Sequence, residues 1–285
     1  MHWQQATIDA TARAHDAGAL VPLGTRTEVL HEDGLTYVVR IMDKLNLKPQ
    51  SGGAAPPADP FAPPYDPDLF VGELAPDHAV LLNKFPVLDP HLLIITRANE
   101  AQTDLPTAAD FEALLRVLQD WDGLGFYNGG PDAGSSQPHK HLQVVSRDIA
   151  PGEPDLPLTR ALADIDRLGD GIGTSPHLPY PHVCMCLPAQ LTADPAAGAA
   201  TLCDRLPELF AALGLPVAGA AQPAPYNLLV TRDWMCLIPR RHAEYKGLPM
   251  NAINFTGALL VIDDEQLAIL HAEGPAACLR AVCGA

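Results

Sequence analysis

Between Asp77 and Ser146 the chain alternates short apolar runs with turn residues in an order that leaves few folds open. Two β-branched and apolar stretches, His78–Asn83 and Leu92–Thr96, flank a proline-bounded turn, Phe85–Pro90. Runs of this length between Pro, Asn and Asp predict strands, and together they predict an antiparallel hairpin. Thr107–Asp120 places Phe111, Leu114, Leu115 and Leu118 at helical spacing, which predicts an amphipathic helix with Thr107 as its N-cap. Gly123–Tyr127 leads into a loop, and Leu142–Ser146 closes the unit as a strand. Strand, strand, helix, loop, strand is the order of an antiparallel sheet with a helix laid against it.

The flanks are less regular. Residues 1–30 read as a polar, partly helical lead-in, and Leu35–Met42 as a strand. Residues 49–67 are rich in Pro, Gly and Ala and read as a linker-like loop. Beyond the Pro-rich stretch 150–157, short helices are expected at Leu158–Leu168 and Ala196–Leu213, and strands at His182–Leu187 and Gly257–Ile262. A hairpin is expected from Tyr226–Thr231 and Met235–Pro239, and a last helix at Asp263–Glu273. HAVLLNKF with HLLIITR is weakly echoed by YNLLVTRDW with MCLIPRRH, so two related halves are expected, 1–165 and 166–285. The fold class is α+β: antiparallel sheet with flanking helices in two pseudo-repeated halves.

Composition narrows the partners. A formal charge of −16 repels a nucleic-acid backbone or an anionic membrane on average, so a small anionic substrate needs its own local cations and N–H groups. No apolar run is long enough to span a bilayer, and the first residues carry no secretory pattern. The six cysteines then fit reduced thiols in a cytoplasmic protein. HVCMC places His182, Cys184 and Cys186 on one strand face, but the spacing does not match a zinc knuckle.

The chemistry gathers in NGGPDAGSSQPHKHLQVV, Asn128–Val145. Glycines let a backbone approach an anion closely, and successive N–H groups can cradle it. If the strand begins at His139, side-chain alternation puts His139, His141 and Gln143 on one face and Lys140, Leu142 and Val144 on the other. A phosphate held by the loop would lie beside an imidazole able to attack phosphorus, whose tautomer a neighbour or a backbone carbonyl would fix. Gln143 can donate a hydrogen bond but cannot deliver a proton, so the leaving group must itself be a good one, such as a phosphate. A metal-ligand pair, or a half-exposed polar pair, is the competing reading of His139 and His141. On the same alternation Lys140 is structural, and Arg240 and Arg241 read as a solvated strand end.

The hairpin LLNKFPVLDPHLL, the Gly/Ser loop and HKHLQ resemble the ATP adenylyltransferases, or diadenosine tetraphosphate phosphorylases, of the histidine-triad superfamily. YNLLVT and WMCLIPR resemble the second half of the same family. The resemblance implies a histidine-triad-like fold with catalytic His141, Gln143 and His139, and an adenylyl intermediate on His141. It implies substrate binding by Lys48, Asn83, Lys84, Asn128, Gly134, Ser135, Ser136, Gln137, Asn227 and Thr231. The implied reaction cleaves a dinucleoside tetraphosphate with inorganic phosphate to ADP and ATP. A divalent ion, Mg or Mn, is expected with the nucleotide, no protein metal ligands are expected, and the chain is expected to be a monomer or weak homo-oligomer. The alternatives are a uridylyl-type transferase of the superfamily and a non-catalytic nucleotide-binding protein.

Overall fold

The computed structural model describes residues 2–22, 24–42, 59–74, 76–149, 155–162 and 171–285. In chain order the elements are α1 (Trp3–Asp16), β1 (Thr25–Glu32), β2 (Leu35–Met42), β3 (Phe70–Leu74), β4 (His78–Leu82), β5 (His91–Thr96), α2 (Ala108–Asp120), β6 (Gly123–Gly129), β7 (His141–Ser146), α3 (Pro157–Ala161), β8 (Ile172–Gly173), β9 (Val183–Cys186), α4 (Pro195–Ala212), β10 (Tyr226–Val230), β11 (Trp234–Pro239), β12 (Glu244–Tyr245), β13 (Leu248–Pro249), β14 (Ala258–Val261), α5 (Asp264–Glu273) and α6 (Pro275–Cys283). Among the described residues no helix is long and apolar enough to cross a membrane.

The two pseudo-repeated halves share one main sheet. Nine strands join in the order β3-β4-β5-β7-β6-β10-β11-β9-β8. The seam is the antiparallel pairing of β6 with β10, from Gly129↔Tyr226 to Gly125↔Val230. Each half alone would leave that edge with unpaired N–H and C=O groups, and pairing the two edges removes both. About the seam the order is symmetric: β5, α2, β6, β7 on one side matches β9, α4, β10, β11 on the other. The echo in the sequence had instead aligned β4–β5 with β10–β11. The matching hairpin is β6–β7, where the loop 130–140 stands in place of the tight turn 231–233 and hides the likeness.

Alternation along the strands assigns each face its cover. Leu92, Ile94, Leu142, Val144, Leu228, Val230, Met235 and Leu237 point to the face covered by α1, α2 and α4. The apolar side of α2 is fully inserted there, with Phe111, Leu114, Leu115 and Leu118 at most 1% exposed. Each such side chain contributes about 1.5–3 kcal/mol of burial. Thr107 caps the helix as expected, in a reciprocal capping box with Asp110.

The opposite face has two covers. Over the second half and the seam lies a three-stranded sheet, β1-β2-β14, in which β14 runs parallel to β2. Its residues Tyr37, Val39, Ile41 and Leu259 pack with Phe126, Leu229 and Ile238. Over β4 and β5 lies a smaller cluster formed by Phe61 with Ala79, Leu81, Leu93 and Ile95. The expectation of a linker at 49–67 is therefore corrected for its last residues: Phe61 is 6% exposed and belongs to the core. Residues 49–58 lie outside the described part.

Candidate active site

Where the two covers part, a cavity of about 730 Å³ opens onto the strand face that carries His141 and Gln143. The register of β7 puts these residues there, since Gln143 lies opposite Leu93 of β5 and Phe126 of β6. Lys140 points through the sheet to α2, as alternation requires. Its ammonium lies 2.7 Å from Asp110 and 3.0 Å from Glu100, wholly buried. Asp110 also receives His78 at 2.7 Å. Burial would raise the Asp110 carboxyl, but His78 and Lys140 outweigh it and hold it at about 2.

His141 is 4% exposed and stands edge-on to Phe61 at 5.0 Å. Its Nδ1 donates to the carbonyl oxygen of His139 at 2.8 Å. That bond fixes the proton on Nδ1 and leaves the lone pair of Nε2, which has no partner among the described residues, for the cavity. Burial, opposed by the bond to the His139 carbonyl, pushes its pKa down to about 4, so the ring is neutral near pH 7. Gln102 anchors the strand end from behind: its Oε1 accepts from the His141 N–H at 2.8 Å and its Nε2 donates to the Asn128 carbonyl at 2.9 Å.

His139 shares the face of His141 but does not line the cavity. Its Nδ1 meets Asp59 at 2.7 Å and its Nε2 the Thr96 carbonyl at 2.7 Å. Phe61 stands edge-on against it as well. Both ring nitrogens are thus engaged, and its direct link to His141 is the backbone carbonyl. Regular strand structure begins only at His141; His139 forms an isolated bridge with Ala101.

The loop is shaped by glycine where it must be. Gly134 has φ +87°, and a Cβ there would meet the Met250 carbonyl oxygen at 2.4 Å. Gly134, Ser135, Ser136 and Gln137 all line the cavity. The Ser135 hydroxyl donates to the Gln137 carbonyl at 2.9 Å. Among the described residues the N–H groups of Ser136 and Gln137 have no backbone acceptor.

Asn128, 2% exposed, lines the cavity, and its Oδ1 accepts from Asn227 Nδ2 and from the Ala252 N–H, each at 2.9 Å. Among the described residues its own amide N–H groups meet no acceptor and remain for a ligand. Asn83 and Lys84 line the rim. Asn227 and Thr231 do not line the cavity. Asn227 is buried under the loop, and Thr231 caps the 231–233 turn by accepting from the Trp234 N–H at 3.2 Å. Lys48 lies outside the described residues.

The solvated end expected at Arg240 is corrected. Arg241 is exposed, but Arg240 is 1% exposed behind the loop. It donates to Asn227 Oδ1 and to the carbonyls of Ala133, His242 and Met250. Burial lowers its pKa to about 10, which still leaves it cationic at neutral pH.

Sequence reasoning missed three more residues of the site. Arg40 of β2 lines the cavity, donates to the Ile149 carbonyl at 2.6 Å and has no ion-pair partner among the described residues. Phe61 roofs the histidines. His91 bonds Gln143 at 2.9 Å. His182, which immediately precedes β9, has both nitrogens engaged by Ser175 and Tyr180. It is not part of a metal set, and among the described residues no three His, Cys, Asp or Glu gather as one.

Two family models cover the chain: the Ap4A phosphorylase N-terminal domain matches residues 2–164 and the ATP adenylyltransferase C-terminal domain residues 176–285. The chain belongs to the Ap4A phosphorylase family. A Saccharomyces cerevisiae member, diadenosine 5',5'''-P1,P4-tetraphosphate phosphorylase 2, is 30% identical over 259 residues, 81% of this chain and 78% of that one. The crystal structure of yeast Ap4A phosphorylase Apa2 with AMP superposes with a TM-score of 0.77 at 25% identity, over 98% of this chain and 94% of that one. The same enzyme with Ap4A gives 0.76 at 26% identity, over 97% and 95%.

Proposed function

We propose that this protein is a nucleotidyltransferase that cleaves a dinucleoside tetraphosphate with inorganic phosphate, giving ADP and ATP through an adenylyl-histidine. The observation that carries the reading is the single free nitrogen of His141. A neutral, tautomerically fixed imidazole opens onto a cavity walled by a glycine loop. The names of the yeast relatives support the same substrate class.

In the first half-reaction Nε2 attacks the α-phosphorus. The N–P bond forms, the bond to the bridging oxygen breaks, and ATP leaves with that oxygen and its electron pair. Nδ1 keeps its proton on the His139 carbonyl, which also stabilises the positive charge growing on the ring. In the second, a phosphate oxygen attacks the same phosphorus, the P–N bond breaks, and its electrons return to Nε2 as ADP leaves. No general acid is required because the leaving group is a polyphosphate, which agrees with Gln143 facing the site.

Charge on the phosphates is met by Arg40, Lys84 and the loop N–H groups, with Arg240 adding positive potential from behind. A divalent ion, Mg or Mn, would bind with the phosphates of the nucleotide and offset part of their charge.

The test is to trap the intermediate. Incubation with labelled Ap4A and no phosphate should yield a stoichiometric, acid-labile adenylyl adduct that maps to His141. His141→Ala should abolish it, and an adduct that survives this substitution refutes the reading.

A further inference from the structure

Gln143 faces the cavity, but an amide can present either its oxygen or its NH2 group there, with opposite consequences for a phosphoryl group. Hydrogen-bond logic decides between them. The Phe85 N–H donates to Asn83 Oδ1 at 3.1 Å, which leaves the Asn83 amide nitrogen as the end facing His91 Nδ1, at 3.2 Å. An amide N–H can only donate, so Nδ1 of His91 accepts and its ring proton sits on Nε2. That Nε2–H then donates to Gln143 Oε1 at 2.9 Å. Among the described residues the Gln143 NH2 group has no partner, and it is left to the cavity. His91 and His141 are thus held in opposite tautomers, one by a side-chain amide and the other by a backbone carbonyl.

We infer that His91 is a positioning residue for phosphoryl transfer, fixing Gln143 so that it presents hydrogen-bond donors, and no acceptor, to the reacting phosphoryl group. The inference rests on the reading of His141 as nucleophile. A fixed NH2 group donates to a non-bridging oxygen whose charge shifts as the α-phosphorus is attacked. A flipped amide would set its oxygen against the phosphoryl oxygens. It would also offer an acceptor that could orient a water molecule, and Oε1 held by His91 withdraws that acceptor. Asn83 acts in this chain from the hairpin rim, so part of its contribution passes through His91. Burial, opposed by the Gln143 bond and reinforced by the nearby His141, pushes the His91 pKa down to about 4. The neutral ring that the relay needs is therefore retained at working pH.

Two measurements test it. In protein labelled with 15N-histidine, two-dimensional 15N–1H spectra near pH 7 should show His91 as the Nε2–H tautomer and His141 as the Nδ1–H tautomer. A His91 in the Nδ1–H form, or averaging between forms, overturns the inference whatever the activity. The second is a double-mutant cycle on the single-turnover rate of His141 adenylylation from Ap4A. His91→Phe should lower that rate roughly tenfold with little change in substrate affinity, and His91→Gln, which keeps an N–H donor, should recover part of the loss. Added to Gln143→Ala, His91→Phe should cost nothing further. Losses that multiply in the double variant would mean that His91 does not act through Gln143. An unsubstituted protein that forms no adduct would refute the nucleophile reading instead, while the tautomer measurement still decides how Gln143 is held.

Discussion

Asn227 lies directly opposite Asn128 across the seam between the two halves, and its amide donates to Asn128 Oδ1 at 2.9 Å. The same side chain accepts from Arg240 at 2.5 Å, so one buried asparagine links the cavity wall to the cation behind the loop. Asn227→Ala should leave the guanidinium short of an acceptor and Asn128 free to turn. A stability loss of about 2–3 kcal/mol is expected by urea denaturation. KM for the dinucleotide should rise by roughly tenfold, although Asn227 does not line the cavity. An unchanged KM would show that Asn128 is held without it.

The pH response follows from two histidines of the cavity wall, His141 buried and His91 half-buried. His141 and His91 are each pushed down to about 4 from an ordinary 6.5. Between these values the unfolded chain binds protons that the folded protein refuses. Their contribution to stability is therefore complete above about pH 6.5, falls as the pH drops, and levels off below about 4. The loss should approach roughly 3 kcal/mol per histidine, measurable as the denaturant midpoint against pH. The adenylylation rate should stay level from pH 7 to about 5, since the nucleophile remains neutral. A rate that halves near 6.5 would contradict the burial argument.

Arg40 is a cavity cation that no carboxylate among the described residues neutralises. Arg40→Met should raise KM for the tetraphosphate by roughly ten- to a hundredfold, the loss expected for a charge-assisted hydrogen bond, with a smaller effect on kcat. It should also flatten the dependence of KM on ionic strength. Equal losses in kcat alone would place the role of Arg40 in the transition state rather than in binding.

Asp110 carries the buried charges behind the site. Its side chain is 1% exposed and that of Lys140 is 0%. Asp110→Asn leaves Lys140 with Glu100 at the surface and weakens the cap on α2. A loss of about 3 kcal/mol is expected in thermal or urea unfolding. Thr107→Ala, which removes only the cap, should cost about 1 kcal/mol.

The sequence made legible the parts of this molecule that obey local rules. Helical spacing found α2 and its cap, and alternation sent Lys140 to one side of the sheet and His141 to the other. Glycine spacing found the loop. What stayed hidden depends on contacts distant in sequence. β1, TRTEVLHE, is polar and half-exposed, so it lacks the apolar alternation that marks a strand. Phe61 and Asp59 follow a Pro/Ala-rich stretch that reads as linker, and only the fold brings them onto the histidines. Arg240 closes an apolar strand, where arginine ordinarily meets solvent, and the acceptors that bury it come from the loop, β10 and residues 242 and 250. His91 begins an apolar strand, and its partners lie on the hairpin rim and on β7.

The central claim, that His141 passes a nucleotidyl group to phosphate, is tested most directly by product analysis with Ap4A. With inorganic phosphate present, ADP and ATP should accumulate in equal amounts. Without it, turnover should stop after a single burst of ATP equal to the enzyme present. Sustained release of AMP and ATP in the absence of phosphate would make water the acceptor and would contradict the account.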